Sequence, residues 1–139
     1  MPEVSAVTPT SSFVRLPVAV VLLMAVGSGA LVLAEHDQLR AQARDRQRVI
    51  DAELRVLQGQ VRAAEFGGQL YWQLRRTISA LERERSSLRS LESALTSGRE
   101  PEIERRRADY ERARQETLRT NRSLVETRAR ELPFGSRSW

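Results

Sequence analysis

A chain of 139 residues with no Cys and a single His has no thiolate nucleophile, no disulfide and no Cys/His metal set, and its length allows one modest domain. All 23 basic residues are Arg; against 18 acidic ones they leave a net charge of +5. Aromatic residues make up 5% of the chain, too few for an ordinary globular core. A composition rich in Arg, Glu, Leu, Ala and Gln points instead to long helices and coiled coil. The use of Arg without Lys reads as base composition rather than function.

Residues 1–12, with Pro2 and Pro9 among Ser and Thr, are expected to form a disordered N-terminal tail. From Phe13 to Ala34 the chain reads FVRLPVAVVLLMAVGSGALVLA, and the nineteen residues from Leu16 to Ala34 carry no charge. At ~1.5 Å per residue a helix of that length matches a hydrocarbon core of ~30 Å, so the segment is expected to be a transmembrane helix or signal anchor. Val32-Leu33-Ala34 has the small-residue shape of a cleavage site, which keeps a removed export signal as the alternative. Gly27, Gly29 and Ala30 supply a small-residue face for packing within the membrane. Arg15 precedes the uncharged run, whereas Arg40, Arg44, Arg46 and Arg48 follow it. That bias alone would keep the C-terminal part in the cytoplasm, but the rule weakens for regions longer than about 60 residues, and Glu35, His36 and Asp37 are acidic on balance. The expected location is therefore a bacterial inner membrane, crossed once, with the C-terminal part extracytoplasmic.

Residues 35–66 contain no Pro, and Ile50, Leu54, Leu57, Val61 and Ala64 recur at three- and four-residue steps, the seam of a coiled coil. The segment is expected to be a membrane-proximal helical stalk. Gly67-Gly68 interrupts it, since each Gly weakens a helix by ~1 kcal/mol relative to Ala. Leu74, Leu81, Leu88 and Leu95 then follow at intervals of seven, as do Ile103, Tyr110, Thr117 and Leu124. Between them, residues 97–101 place Gly98 at a helix end and Pro101 at a helix start. In an antiparallel pair, facing residues have a constant numerical sum: Leu95 with Ile103, Leu88 with Tyr110, Leu81 with Thr117 and Leu74 with Leu124 all give 198, as does Phe66 with Leu132. One layer over, Glu92 faces Arg107 and Tyr71 faces Arg128, while Arg85 meets Arg114 unfavourably. Residues 67–132 are thus expected to form an antiparallel helical hairpin, and 133–139 a C-terminal tail. The expected fold is all-α: one transmembrane helix, a long stalk and a coiled-coil hairpin. A three-helix bundle reversed at Gly67-Gly68 is the alternative.

No catalytic constellation is visible, so the chain is expected not to be an enzyme and to need no cofactor or metal. Glu82-Arg83-Glu84-Arg85 reads as solvated ion pairs worth a few tenths of a kcal/mol each. Arg105-Arg106-Arg107 is hemmed in by Glu100, Glu102, Glu104, Asp109 and Glu111, and no nucleic-acid partner is expected. The residues expected to meet a protein partner are the stalk seam Ile50, Leu54, Leu57 and Val61, the aromatic cluster Phe66, Tyr71 and Trp72, and Phe134 and Trp139 of the tail, because aromatic residues are enriched at interaction centres.

The plan of tail, single span and coil resembles bitopic divisome coiled-coil proteins, inner-membrane phage spanins and alignment subunits of pilus or secretion machines, a likeness of architecture that carries over no residue. The expected function is a non-enzymatic membrane scaffold or adaptor, homodimeric or paired in a hetero-coiled-coil with another membrane protein. An accessory subunit of a larger membrane complex and a membrane-bridging lysis protein are the alternatives.

Overall fold

The computed structural model describes residues 28–131, with side chains from residue 32 onward. Three helices account for nearly all of them: α1 (Ser28–Ala63), α2 (Gln69–Ser97) and α3 (Glu100–Glu131), with no strand among the described residues. Ala, Leu, Arg, Glu and Gln dominate all three, residues that lose little side-chain freedom in a helix.

Glycine makes both reversals. After α1 the chain turns through Glu65–Gly68, where the Gly68 N–H donates to the Glu65 carbonyl at 3.2 Å and Gly67 takes φ +82°. A positive φ at the third position of a β-turn is the type II arrangement, which favours a residue without Cβ. The second reversal is shorter. Gly98 ends α2 in the left-handed region (φ 69°, ψ 12°), its N–H donating to the Ala94 carbonyl at 3.1 Å. The Arg99 carbonyl then accepts from Glu102 and Ile103, both at 3.0 Å, to open α3. Glu100 and Glu102 occupy the first turn of α3 and Arg128 and Arg130 the last, each sign placed where the helix dipole favours it.

α2 is the central helix. It buries Gln73, Leu74, Thr77, Ile78, Ala80, Leu81, Glu84, Leu88, Leu91, Ala94 and Leu95, a band wide enough to meet a neighbour on each side. α3 buries only the narrow row Ile103, Tyr110, Thr117 and Leu124, seven residues apart, together with Thr127. From Arg40 onward α1 buries Ala43, Ile50, Leu54 and Leu57. Complete burial of a Leu or Ile contributes roughly 1.5–3 kcal/mol, so these rows hold the three helices together.

The two interfaces of α2 differ. Cα atoms of α2 and α3 come within 8 Å of each other along their shared length, whereas α1 stands farther off. Small residues permit the close approach: Ala80 and Ala94 lie on the α2 face marked by Gln73, whose Nε2 donates to the Thr120 carbonyl of α3 at 3.2 Å. The Thr77 hydroxyl shares that carbonyl at 3.5 Å while donating to its own Gln73 carbonyl at 2.9 Å. Thr117 and Thr127 likewise donate to carbonyls four residues back, which satisfies hydroxyls that burial would otherwise leave unpaired.

Between α1 and α2 the apolar row is joined by charge. Glu84 is fully buried and accepts two hydrogen bonds from Arg46, Nε to Oε1 at 2.8 Å and Nη2 to Oε2 at 3.1 Å. Tyr110 of α3 lies close enough for both charges to act on its hydroxyl. Burial first, then the Glu84 carboxylate, pushes that hydroxyl above its ordinary range against the opposing pull of Arg114 and Arg46. The same carboxylate, through its hydrogen bonds, holds the Arg46 guanidinium above its ordinary range despite partial burial. One residue on, Arg85 reaches Asp51 of α1 at 3.0 Å, so it pairs with a carboxylate instead of opposing Arg114.

These observations correct three expectations. Among the described residues no helix is long and apolar enough to cross a membrane, which overturns the single-pass inner-membrane location. α1 continues unbroken through the expected boundary at Ala34 and Glu35, and only its first seven residues belong to the apolar segment before Glu35, Asp37 and Arg40 follow. Residues 13–27 of the expected span lie outside the described residues. Residues 40–63 are not a free-standing stalk, because they lie along α2 through Ile50, Leu54, Arg46 and Asp51. Periodicity identified the seam but not its partner, and the charged pairs that dock it were indistinguishable from surface charges. Glu84 is accordingly no solvated surface acid.

Candidate interaction surfaces

Alternating three- and four-residue steps along α1 carry an apolar row outside the buried one. Val49 and Val56 are exposed seven residues apart, with Ala52 between them. Leu118 and Val125, also seven apart, are exposed on α3. Val56 is 60% exposed and Val125 64%, yet both line one open groove between α1 and α3 with a volume of about 560 Å³. Ala52, Leu57 and Leu124 form the rest of its apolar lining, and Glu53, Gln60, Asn121 and Arg128 its polar part. Arg128 donates to Gln60 across the groove. Arg128 was expected to face Tyr71, so this hydrogen bond gives it a different partner.

At the reversal between α1 and α2 the aromatic residues form a row. The Phe66 and Tyr71 rings lie 5.0 Å apart at 59°, and Tyr71 and Trp72 5.3 Å apart at 82°, an edge-to-face contact. Such tilted arrangements suit the charge distribution of aromatic rings and add about 0.5–1.5 kcal/mol per pair. The row does not close into the core. Phe66 is 79% exposed and Trp72 53%.

A second groove begins at Trp72 and runs between α2 and α3. It has a volume of about 570 Å³ and is lined by Trp72, Arg75, Arg76, Ser79, Arg83, Glu116 and Thr120. Sequence reading singled out Trp72 but not the arginines, although Trp72, Arg76, Ser79 and Arg83 follow one another at steps of four, three and four, the spacing of a single helix face. That spacing was the available signal.

Of the residues expected to meet a partner, Ile50, Leu54 and Leu57 are buried within the chain, and Val61 is half-buried. Phe66, Tyr71 and Trp72 are brought together, with Phe66 and Trp72 exposed. Phe134, Trp139 and Gly27 lie outside the described residues. Gly29 and Ala30 belong to the first turn of α1. In the Arg105-Arg106-Arg107 run, Arg106 approaches Asp109 at 3.9 Å. No group of three His, Asp or Glu residues among those described could hold a metal ion.

The described fold defines an all-α protein of three helices. The chain matches no protein-family model, no curated protein and no solved structure.

Proposed function

We propose that this chain is a non-enzymatic helical scaffold that assembles with a second copy of itself through the groove between α1 and α3. The observation that carries this reading is the pair of exposed apolar heptad rows, Val49–Val56 and Leu118–Val125, flanking one apolar groove. A helix completes its intrachain packing with one row, as α3 does with Ile103, Tyr110, Thr117 and Leu124. A further row at the same period on the solvent side has the spacing of a second coiled-coil seam. A copy of α1 brings Val49, Ala52 and Val56 at that spacing, so the surface and its occupant are the same face, as a two-fold interface requires. This moves the assembly surface from Ile50 and Leu54, buried within the chain, to the groove whose lining includes Leu57.

Sedimentation velocity of the full chain over a range of concentrations tests it. The expected result is a concentration-dependent dimer that the double variant Val56→Asp/Val125→Asp weakens at least about tenfold, because two buried charges would oppose association. Both positions are largely exposed in the single chain, so circular dichroism should show unchanged helicity. A monomer at every concentration, or association unaffected by the double variant, would overturn the reading.

A further inference from the structure

We infer that the groove between α2 and α3 binds an acidic helical segment of a partner protein, with Trp72 as its apolar anchor and Arg75, Arg76 and Arg83 as its charge-reading residues. The inference deepens the scaffold reading by adding a second, chemically different surface.

The first support is charge complementarity. Arg46, Arg85, Arg106 and Arg112 each reach a carboxylate within the chain. The side chains of Arg75, Arg76 and Arg83 form no ion pair or hydrogen bond with any other described residue, and all three line one groove. Glu116 is the single carboxylate there, so the groove carries an excess of two positive charges. Guanidinium groups bind carboxylates in planar, two-pronged pairs, which give geometric specificity as well as attraction.

The second support is spacing. Arg76 and Arg83 are seven residues apart on one face of α2, a rise of ~10.5 Å. Carboxylates seven residues apart on a partner helix lying along the groove meet them at the same interval. Ser79 and Thr120 are the smaller side chains of the lining, which lets a helix backbone approach.

The third is the anchor. Trp72 is half exposed at the mouth of the groove, and its ring is held edge-to-face by Tyr71. A Trp prepositioned beside Arg residues is the combination that dominates binding energy at protein interfaces. Nucleic acid fits less well. A strand-binding groove tracks the phosphate backbone with continuous positive charge, whereas Glu116 lies in this groove and Glu82 is exposed beside Arg83.

The test uses the full chain carrying Trp139→Phe, so that Trp72 is the only tryptophan. The probe is a fluorescein-labelled helical peptide with Glu at seven-residue intervals and one Leu per heptad; the controls are the same peptide with Gln for Glu and a labelled fifteen-nucleotide oligo(dT). The expected result is saturable binding of the Glu peptide that shifts Trp72 emission and weakens with salt. Arg76→Glu/Arg83→Glu should lower its affinity at least about tenfold, as should the Gln peptide. Both arginines are exposed, and circular dichroism checks that the variant is folded. Equal binding of the Gln peptide, binding unaffected by the arginine substitutions, no binding of the Glu peptide, or binding of oligo(dT) in its place would each overturn the inference. The Val56→Asp/Val125→Asp chain should still bind the peptide. If it does while failing to dimerise, this groove is independent of self-assembly; if dimerisation persists without peptide binding, only the groove inference fails.

Discussion

The central helix α2 is joined to its neighbours in two different ways. Against α3 it presents leucines at intervals of seven with Ala80 and Ala94, and its polar side chains there, Gln73 and Thr77, bond to the Thr120 carbonyl. Against α1 it presents a fully buried glutamate gripped by an arginine, with a second ion pair beside it. The first interface is close and insensitive to charge. The second is wider because a guanidinium must fit within it. Attraction in the first comes from area removed from water, while the second adds a geometric requirement that a shifted pairing cannot meet. Buried ion pairs contribute little net stability over apolar replacements, but an orphaned buried charge is strongly destabilising.

Breaking the charged pair should give the largest effect, and the direction of the break matters. Arg46→Met leaves Glu84 buried without its partner and should cost about 3–5 kcal/mol in denaturant unfolding. Glu84→Gln should cost less, because the Arg46 side chain is 25% exposed and lies 3.8 Å from Glu53, which can take it up. The double replacement Arg46→Met/Glu84→Leu should return stability to near the starting value. Equal losses for the two single variants would contradict the asymmetry between the partners.

A smaller effect distinguishes close from open packing. Ala80→Leu, at the tight α2–α3 face, should cost about 1–3 kcal/mol by overpacking. Ala43→Leu, buried on α1 where the helices stand farther apart, should cost less. Matched Tm shifts for the two would remove the distinction.

The smallest effect connects both interfaces through Tyr110. Its hydroxyl titrates above the ordinary value of about 10, so the folded state holds that proton more tightly than the unfolded one. The resulting stability is complete below pH ~10 and is lost as pH rises through the folded-state value. Denaturant midpoints compared between pH 8 and pH 11 should fall for the parent chain and fall less for Tyr110→Phe.

The helices and the reversal at Gly98 could be read in the chain because their signals are local: a period of seven, a glycine, then a proline. Leu74, Leu81, Leu88 and Leu95 with Ile103, Tyr110, Thr117 and Leu124 are all buried, so the apolar row coincides with the packed row. Phe66 shared their numerical sum but is exposed, because the chain has already left the helix at Ala63. The docking of α1 was harder to read. A seam of Ile and Leu records that a helix needs a partner, not whether that partner is the same molecule. Glu84 was obscured by its neighbours Glu82, Arg83 and Arg85, although it lies seven residues from both Thr77 and Leu91, which are also buried. The arginine-lined groove was missed because no single arginine stands out among 23. Only a second helix alongside shows which of them converge.

The equal spacing of the four α2 leucines has one more consequence. A repeat of identical contacts has translational symmetry, so sliding a partner helix by seven residues, ~10.5 Å, aligns most of the same contacts again. The backbone carbonyl accepting from Gln73 and Thr77 does not lift that degeneracy, since every residue of α3 offers a carbonyl. The two-residue link at Gly98 and Arg99 lifts it for α3, by leaving no slack. For α1, tethered through the longer Ala64–Gly68 connection, Arg46 and Glu84 mark a unique origin on an otherwise repeating scale.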